Sequence, residues 1–192
     1  NYPGPELPAI LGLEAAGVIE AIGSDVSSPL QIGQRVMGMG PQGNAEYVAI
    51  NANLVFPYPD NVDPQVAGGM PIVFLTAYHL LRSRGQMQTG DNVLIQAGAS
   101  GVGTVATQMA HTWGAKVITT ASTTDKLELS KSLGADETIN YTEEDFEQKV
   151  MEITEGKGVQ LILESVGGSV LEKSVKCVAP YGQLISYGNA SG

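Results

Sequence analysis

Cysteine and histidine are nearly absent: 192 residues hold one cysteine, Cys177, and two histidines, His79 and His111. A single cysteine excludes an internal disulfide framework and fits a reducing compartment. The histidines fall on separate predicted helices with no acidic or thiol partner at ligand spacing, so they read as surface or half-buried helix residues and no metal site is expected. Cations are scarce too, since 10 Lys and Arg against 20 Asp and Glu leave a net charge of −10 and a pI near 4.5. This balance repels polynucleotides and anionic membranes at long range, although a local basic pocket can still hold a nucleotide. No apolar run reaches spanning length and no basic, then apolar leader opens the chain, so a cytoplasmic protein is expected, without membrane or nucleic-acid partners. The chain also lacks an initiator methionine and stops at Ser191-Gly192 just after an apolar segment, and it reads as a fragment.

Glycine is abundant, and its most informative cluster lies in Val93-Leu94-Ile95-Gln96-Ala97-Gly98-Ala99-Ser100-Gly101-Val102-Gly103. The branched apolar run suits a strand buried on both faces of a parallel sheet. Beyond the glycines, Val102, Val105, Ala106, Met109, Ala110 and Trp113 recur at three- and four-residue steps, which predicts a helix with one apolar face. Gly114 is placed to close that helix as a left-handed cap, and 116–120 reads as the next strand. A glycine turn at a helix N-terminus offers unpaired amides and a favourable dipole to an anion. The spacing departs from G-x-G-x-x-G: Gly98 and Gly103 match the first and third glycines, but Ser100 stands at the second and Gly101 follows it. Strand, turn, helix and strand together form a βαβ unit and point to a dinucleotide, the alternative being a tight α/β turn that holds no ligand.

Upstream, 16–23, 35–38 and 46–50 are short apolar segments bounded by Gly, Ser and Pro, and read as β structure. Asp63 before Pro64 predicts an N-cap with proline at the first helical position; Pro71 interrupts that helix, and Phe74, Leu75, Tyr78 and Leu81 carry a second. Downstream, helices are predicted over 126–133 (closed by Gly134), 142–153 (opened by Thr142 and Asp145) and 169–178, with strands over 137–140, 159–163 and 183–187. Counting from Val93 gives five strands. The doubly wound dinucleotide fold has six, in the order 3-2-1-4-5-6, so the sixth is expected beyond Gly192.

The segments Gly12-Leu13-Glu14-Ala15-Ala16-Gly17-Val18-Ile19-Glu20, Asn44-Ala45-Glu46-Tyr47-Val48, Leu75-Thr76-Ala77-Tyr78, the turn at 97–103, Leu133-Gly134-Ala135-Asp136, Asn140-Tyr141-Thr142 and Tyr187-Gly188-Asn189-Ala190-Ser191-Gly192 together resemble the medium-chain dehydrogenase/reductase superfamily. Within it the chain is similar to the zinc-free quinone oxidoreductase branch that includes zeta-crystallin. The resemblance implies an α/β fold: a Rossmann-type, doubly wound parallel sheet binding NADPH over 75–192, its sixth strand missing, preceded over 1–74 by the C-terminal part of a β-rich GroES-like catalytic domain. It further implies segments before and after this chain, and a homodimer. The zinc alcohol dehydrogenases of the same superfamily carry a His-Glu pair whose histidine ligates zinc, where this chain has Leu13-Glu14, and a four-cysteine lobe for which 38–45 has neither length nor cysteines.

Without zinc no Lewis acid polarises a carbonyl, so hydride delivery to an already electrophilic acceptor is the easier chemistry. The resemblance implies the same, NADPH-dependent reduction of a quinone or an α,β-unsaturated carbonyl. It carries Thr76, Ser165, Val166, Gly188 and Asn189 to the nicotinamide end, Ser100, Gly101, Val102 and Gly103 to the pyrophosphate, and Lys126 and Tyr141 to the 2′-phosphate, with Ser122 also among the cofactor-binding residues. Thr76 could equally bond its own helix backbone. Glu164 stands where the family often has Asp; Asn44 and Tyr47 lie near the family's site, though Tyr47 could instead be packed in a sheet. NADPH is expected over NADH because the strand after the turn ends Thr120-Ala121-Ser122, without the carboxylate that accepts ribose hydroxyls. No proton donor and no hydrolytic triad is evident. Two alternatives stand beside this reading: a zeta-crystallin-like protein that holds NADPH with little turnover, and an enoyl-thioester reductase.

Overall fold

The computed structural model describes Gly4 and residues 6–191, so Asn1-Tyr2-Pro3, Pro5 and Gly192 lie outside the described residues. The chain divides into two compact units, with the boundary between Val73 and Phe74.

The first unit holds three antiparallel strands, β1 (Glu14–Val18), β2 (Arg35–Met39) and β3 (Val55–Pro57), in the order β1-β2-β3. The strand predicted over 16–23 begins earlier and stops at Val18, because its partner strand opens at Arg35; beyond it only Ile19 bonds across, to Gln34 and Gly33, before the ladder closes in a turn. No strand forms over 46–50. The backbone there has no ladder partner among the described residues, and Tyr47 is 77% exposed rather than packed in a sheet. Arg35 anchors the segment beyond β3: its guanidinium lies over the Tyr58 ring and donates to Tyr58 Oη and to the carbonyls of Asp60 and Val62. Asp63 then caps α1 (Pro64–Ala67) as expected, its Oδ1 accepting from Gln65 N at 2.7 Å. Helix α2 (Pro71–Tyr78) comes next and crosses the boundary between the units. Glu14 Oε2 accepts from the amide of Ile72 at 2.8 Å.

In the second unit α2 runs into a wider π-helical turn, His79–Arg84, closed by a bond from Gly85 N to Leu80 O. Then come β4 (Asn92–Ile95), α3 (Gly101–Thr112), β5 (Lys116–Ala121), α4 (Thr124–Ser132), β6 (Glu137–Asn140), α5 (Phe146–Ile153), β7 (Val159–Glu164), α6 (Gly168–Lys176) and β8 (Val178–Ser186). The strands form one parallel sheet in the order β6-β5-β4-β7-β8. Renumbered from β4, this is 3-2-1-4-5, the five-strand portion of the doubly wound order. Leu94, Ile118, Ile139 and Ile162 from the sheet pack with Phe146 and Val150 of α5 and with Cys177 in one core cluster. Gly114 and Gly134 take positive φ and close α3 and α4.

Several boundaries differ from expectation, and α4 opens at Thr124 rather than at 126. Helix α5 opens at Phe146, not at 142, because Asp145 alone is its cap, accepting from Glu147 N, while Thr142 is drawn back to Asn140 Oδ1 through both its amide and its hydroxyl. Helix α6 stops at Lys176, and Val178 already belongs to β8, which is longer than the predicted 183–187 and is bulged where it passes β7 at Val159 and Leu161.

Candidate functional site

Because all five strands of the second unit run the same way, the turns that leave them gather at one edge of the sheet, and the residues singled out from the sequence over 100–189 lie there. The first turn leaves β4. Ala97 sits at φ +55, and a Cβ on Gly98 would stand 2.6 Å from Cβ of Thr119, so only glycine lets the turn lie this close to β5. Ser100, at the second glycine position of the motif, is the N-cap of α3: its Oγ accepts from Gly103 N at 3.1 Å. Gly103 is needed for space, since a Cβ there would overlap the carbonyl oxygen of Ala97 and reach 2.8 Å from that of Gly98. The amides of Gly101 and Val102 have no acceptor among the described residues. Two free N–H groups at the start of a 12-residue helix can hold a phosphate oxygen.

The second cluster sits at the tips of β5 and β6, drawn together by a bond from Tyr141 N to Ala121 O at 3.2 Å. Ser122 is half-buried there, Lys126 is exposed in the first turn of α4, and Tyr141 is half exposed. Lys126 makes no ion pair among the described residues. The nearest acid along the chain, Asp125, lies in the helix rather than at the strand tip.

The third cluster joins the turns after β7 and β8. Glu164 is fully buried, and its Oε1 accepts from Val166 N at 2.7 Å and Gly167 N at 2.9 Å, which folds the chain sharply at Ser165 and Val166. The turn after β8 locks onto it: Ala190 N donates to Ser165 O and Ser191 N to Val166 O. A Cβ on Gly188 would stand 2.9 Å from Ser165 O, and one on Gly167 would collide with Asn189 Oδ1. Ser165, Val166, Gly188 and Asn189 are thus one interlocked pair of turns. Tyr187 lies beside them with its hydroxyl buried and without a well-formed hydrogen bond. Burial pushes its phenol pKa up, the Ser165 hydroxyl opposes this, and the charge of Glu164 adds to it. Thr76 of α2 shares with Tyr187, Leu75, Tyr78 and Leu80 an open depression of about 580 Å³. Among the described residues its hydroxyl makes no bond to the helix backbone, and the cofactor role expected of it stays a proposal.

The sequence assigns no hydrogen-bonding role to the polar residues at the ends of the buried strands: Gln96, Thr120, Asn140 and Glu164 are 2%, 1%, 8% and 0% exposed. Their signal was present as a polar residue closing an apolar run. Of the residues weighed for a metal, Leu13 is exposed and Glu14 is engaged with Ile72 N. Both histidines are exposed; His79 accepts from Arg84 Nε at 3.4 Å, and the His111 ring lies against Gly134. Among the described residues no three His, Cys, Asp or Glu stand together as a ligand set. Asn44 lies in the first unit, its amide bonded to Leu11 O. Among the described residues no helix is long and apolar enough to cross a membrane.

Comparison with known proteins gives two family matches, "Alcohol dehydrogenase GroES-like domain" over residues 1–60 and "Zinc-binding dehydrogenase" over residues 101–192. The chain is 40% identical over 194 residues to a quinone oxidoreductase of Pseudomonas aeruginosa, covering all of this chain and 59% of that protein. It is 36% identical to a 2-haloacrylate reductase of a Burkholderia species, covering 97% of this chain and 57% of that one. Among solved structures, Escherichia coli quinone oxidoreductase complexed with NADPH superimposes with a TM-score of 0.92 at 36% identity, covering all of this chain and 59% of that chain. The chain therefore spans less than two thirds of the length of the relatives it matches.

Proposed function

The chain belongs to the medium-chain dehydrogenase/reductase superfamily, in its quinone oxidoreductase-like branch, and from that premise we propose that the protein is an NADPH-dependent reductase acting on a quinone or an α,β-unsaturated carbonyl without a metal. The observation that carries the reading is the pair of unspent amides at Gly101 and Val102 over a cradle that a Cβ on Gly103 would fill. These residues fit a pyrophosphate. Ser122, Lys126 and Tyr141 fit the 2′-phosphate, since a lysine and two hydroxyls stand where NAD enzymes place a carboxylate. Ser165, Val166, Gly188, Asn189 and Thr76 would line the nicotinamide end, the first four through rigid turn backbone.

When bound, NADPH supplies the hydride and the reducing electrons. The chain's own part is to bind, orient and exclude water, and the interlocked turns after β7 and β8 suit this because their shape is set before any ligand arrives. Glu14, engaged with Ile72 N, and Leu13, which has no donor atom, support a mechanism in which the acceptor's own conjugation provides the electrophile. Quinones and 2-haloacrylates, named in the relatives' activities, share that conjugation. We assign 1–74 to part of the catalytic domain and 75–192 to the cofactor domain of a cytoplasmic homodimer with a small-molecule substrate and no nucleic-acid partner. A spectrophotometric screen of the intact protein with NADPH against quinones, 2-alkenals and crotonyl thioesters tests the reading. Turnover with quinone or alkenal is expected; preference for the thioester would favour an enoyl reductase, and tight NADPH binding without turnover would favour a binding protein.

A further inference from the structure

We propose that Gln96 is a positioning residue for pyrophosphate binding, acting through Thr120 to hold the turn at 97–100 in its anion-accepting shape. The inference rests on the dinucleotide reading of that turn and extends it to residues that touch no ligand.

Gln96 is the first residue after β4 and is 2% exposed. The three residues before it, Val93, Leu94 and Ile95, are apolar and fully buried, and packing alone would be served by a fourth of their kind. An amide buried here must instead satisfy its polar atoms, and this one does. Its backbone N–H donates to Leu163 O at 3.0 Å, its Oε1 accepts from Thr120 Oγ1 at 2.6 Å, and its Nε2 donates to Ser174 Oγ at 3.1 Å.

Thr120 in turn receives both amides that open the turn. Ala97 N donates to its Oγ1 at 3.3 Å and Gly98 N to its carbonyl at 2.9 Å. A hydroxyl has one proton and two lone pairs. Because Gln96 Oε1 takes the proton, the lone pairs are left facing Ala97. Gln96 thereby decides what Thr120 offers the turn. Ala97, at φ +55, sits in a region that a side chain enters only where surrounding contacts hold it, and its amide is fastened through this hydroxyl. Four and five residues on, the same turn delivers Gly101 and Val102 with their amides free. A fully satisfied buried network specifies one arrangement over its neighbours. Ser174 belongs to α6, so the chain of bonds from Ser174 through Gln96 and Thr120 to Ala97 fastens the turn to a helix on the far side of β4.

If the network served only to hold the sheet together, its loss would lower stability and leave the affinity of folded protein alone. The intact protein and its Thr120→Val, Thr120→Ser and Ser174→Ala variants are titrated calorimetrically with NADPH, with ADP, which carries a pyrophosphate, and with 2′-AMP, which does not. Valine keeps the shape of threonine and removes the hydroxyl, so Thr120→Val should weaken ADP and NADPH by about tenfold, the scale of one hydrogen bond to a charged group, with 2′-AMP within about twofold. Thr120→Ser, which restores the hydroxyl, should return ADP to near wild type. Ser174→Ala, which reaches the turn only through Gln96, should weaken ADP by about threefold and decides the matter alone if Thr120→Val does not fold. Wild-type affinity for ADP in Thr120→Val and Ser174→Ala, with melting temperature lowered, would overturn the inference. The ratio of variant to wild type tests this inference alone; a wild-type protein that binds neither nucleotide would remove it together with the dinucleotide reading.

Discussion

Replacing Gly103 by alanine tests the phosphate turn with the smallest possible perturbation. Backbone conformation is not at issue, because the residue is helical and alanine is the better helix former by about 1 kcal/mol. Space is. The new Cβ would stand 2.8 Å from Gly98 O, 2.9 Å from Gly98 C and closer still to Ala97 O. Against an optimum of roughly 3.5 Å for non-bonded heavy atoms, the contact with Ala97 O requires turn and helix to part by about 1 Å. Both obstacles are backbone, so no side chain can swing aside. Overpacking of this kind costs about 1–3 kcal/mol, and the helix preference offsets about 1 kcal/mol of it, leaving a net loss of about 0–2 kcal/mol and a Tm lower by up to roughly 8 °C. Affinity should suffer more than stability, because the displaced element carries the Gly101 and Val102 amides. Losing one hydrogen bond to a charged phosphate, about 1.5–3 kcal/mol, weakens NADPH by about ten- to a hundredfold. The assay pairs a thermal melt with a calorimetric NADPH titration of the folded variant. A folded Gly103→Ala protein with affinity within about twofold of wild type would refute the account of the cradle.

Lys126→Ala should weaken NADPH by about ten- to a hundredfold, the worth of one charge-assisted hydrogen bond, and leave NADH nearly unchanged; equal losses for both would take Lys126 out of the 2′-phosphate site. Exhaustive dialysis against a chelator should leave activity intact and elemental analysis should find no stoichiometric zinc, whereas one zinc per chain would overturn the argument from Leu13. Burial holds the Cys177 thiol up at about 11, against 9.0 for the free group, with the charges of Glu147 and Asp145 adding to it. A thiol reagent at pH 8 should therefore react only as the protein unfolds. Since the folded state resists ionisation that the unfolded state allows, stability contributed by the neutral thiol is whole below pH 9 and lost as pH rises from 9 to 11. The wild-type melt should drop across that window relative to Cys177→Ala, and parallel pH profiles would show that the thiol is not the cause.

What could be read in the sequence was what repeats along it. The apolar runs of β4, β5 and β7 and the spaced apolar positions of α3 were legible because a buried strand and a one-sided helix each impose a period. Asp63 with Pro64, and Gly114 and Gly134 as left-handed caps, were legible because single residues carry those geometries. The misses are of another kind. Residues 46–50 have strand composition and no partner, and composition cannot supply one. Thr142 is a good cap residue, but Asn140 Oδ1 competes for its amide and hydroxyl, a local choice that the capping pattern does not record. The early end of α6 reflects the length of β8, which is set by its pairing with β7 rather than by its own residues.

The buried polar strand ends, whose bonding the sequence does not show, explain why the free amides lie where they do. Chain leaving a parallel strand must find acceptors for its N–H groups or surrender them to water. Here Glu164 Oε1 takes those of Val166 and Gly167, Asn140 Oδ1 takes that of Thr142, Thr120 takes those of Ala97 and Gly98, and Ser100 Oγ takes that of Gly103. A glycine at position 100 would have left the Gly103 amide unspent as well; serine spends it and leaves Gly101 and Val102 as the free pair in the first turn of the helix. Anion binding at the helix start is thereby left to two adjacent donors, with the amides of Ala97, Gly98, Ser100 and Gly103 already engaged. Ser100→Gly should therefore free a third donor while costing only a few tenths of a kcal/mol in capping. NADPH affinity should be unchanged or tighter by up to about tenfold, the worth of one net hydrogen bond. A variant that remains folded and binds NADPH tenfold more weakly would mean that the serine hydroxyl itself meets the cofactor, and the division of donors drawn here would be wrong.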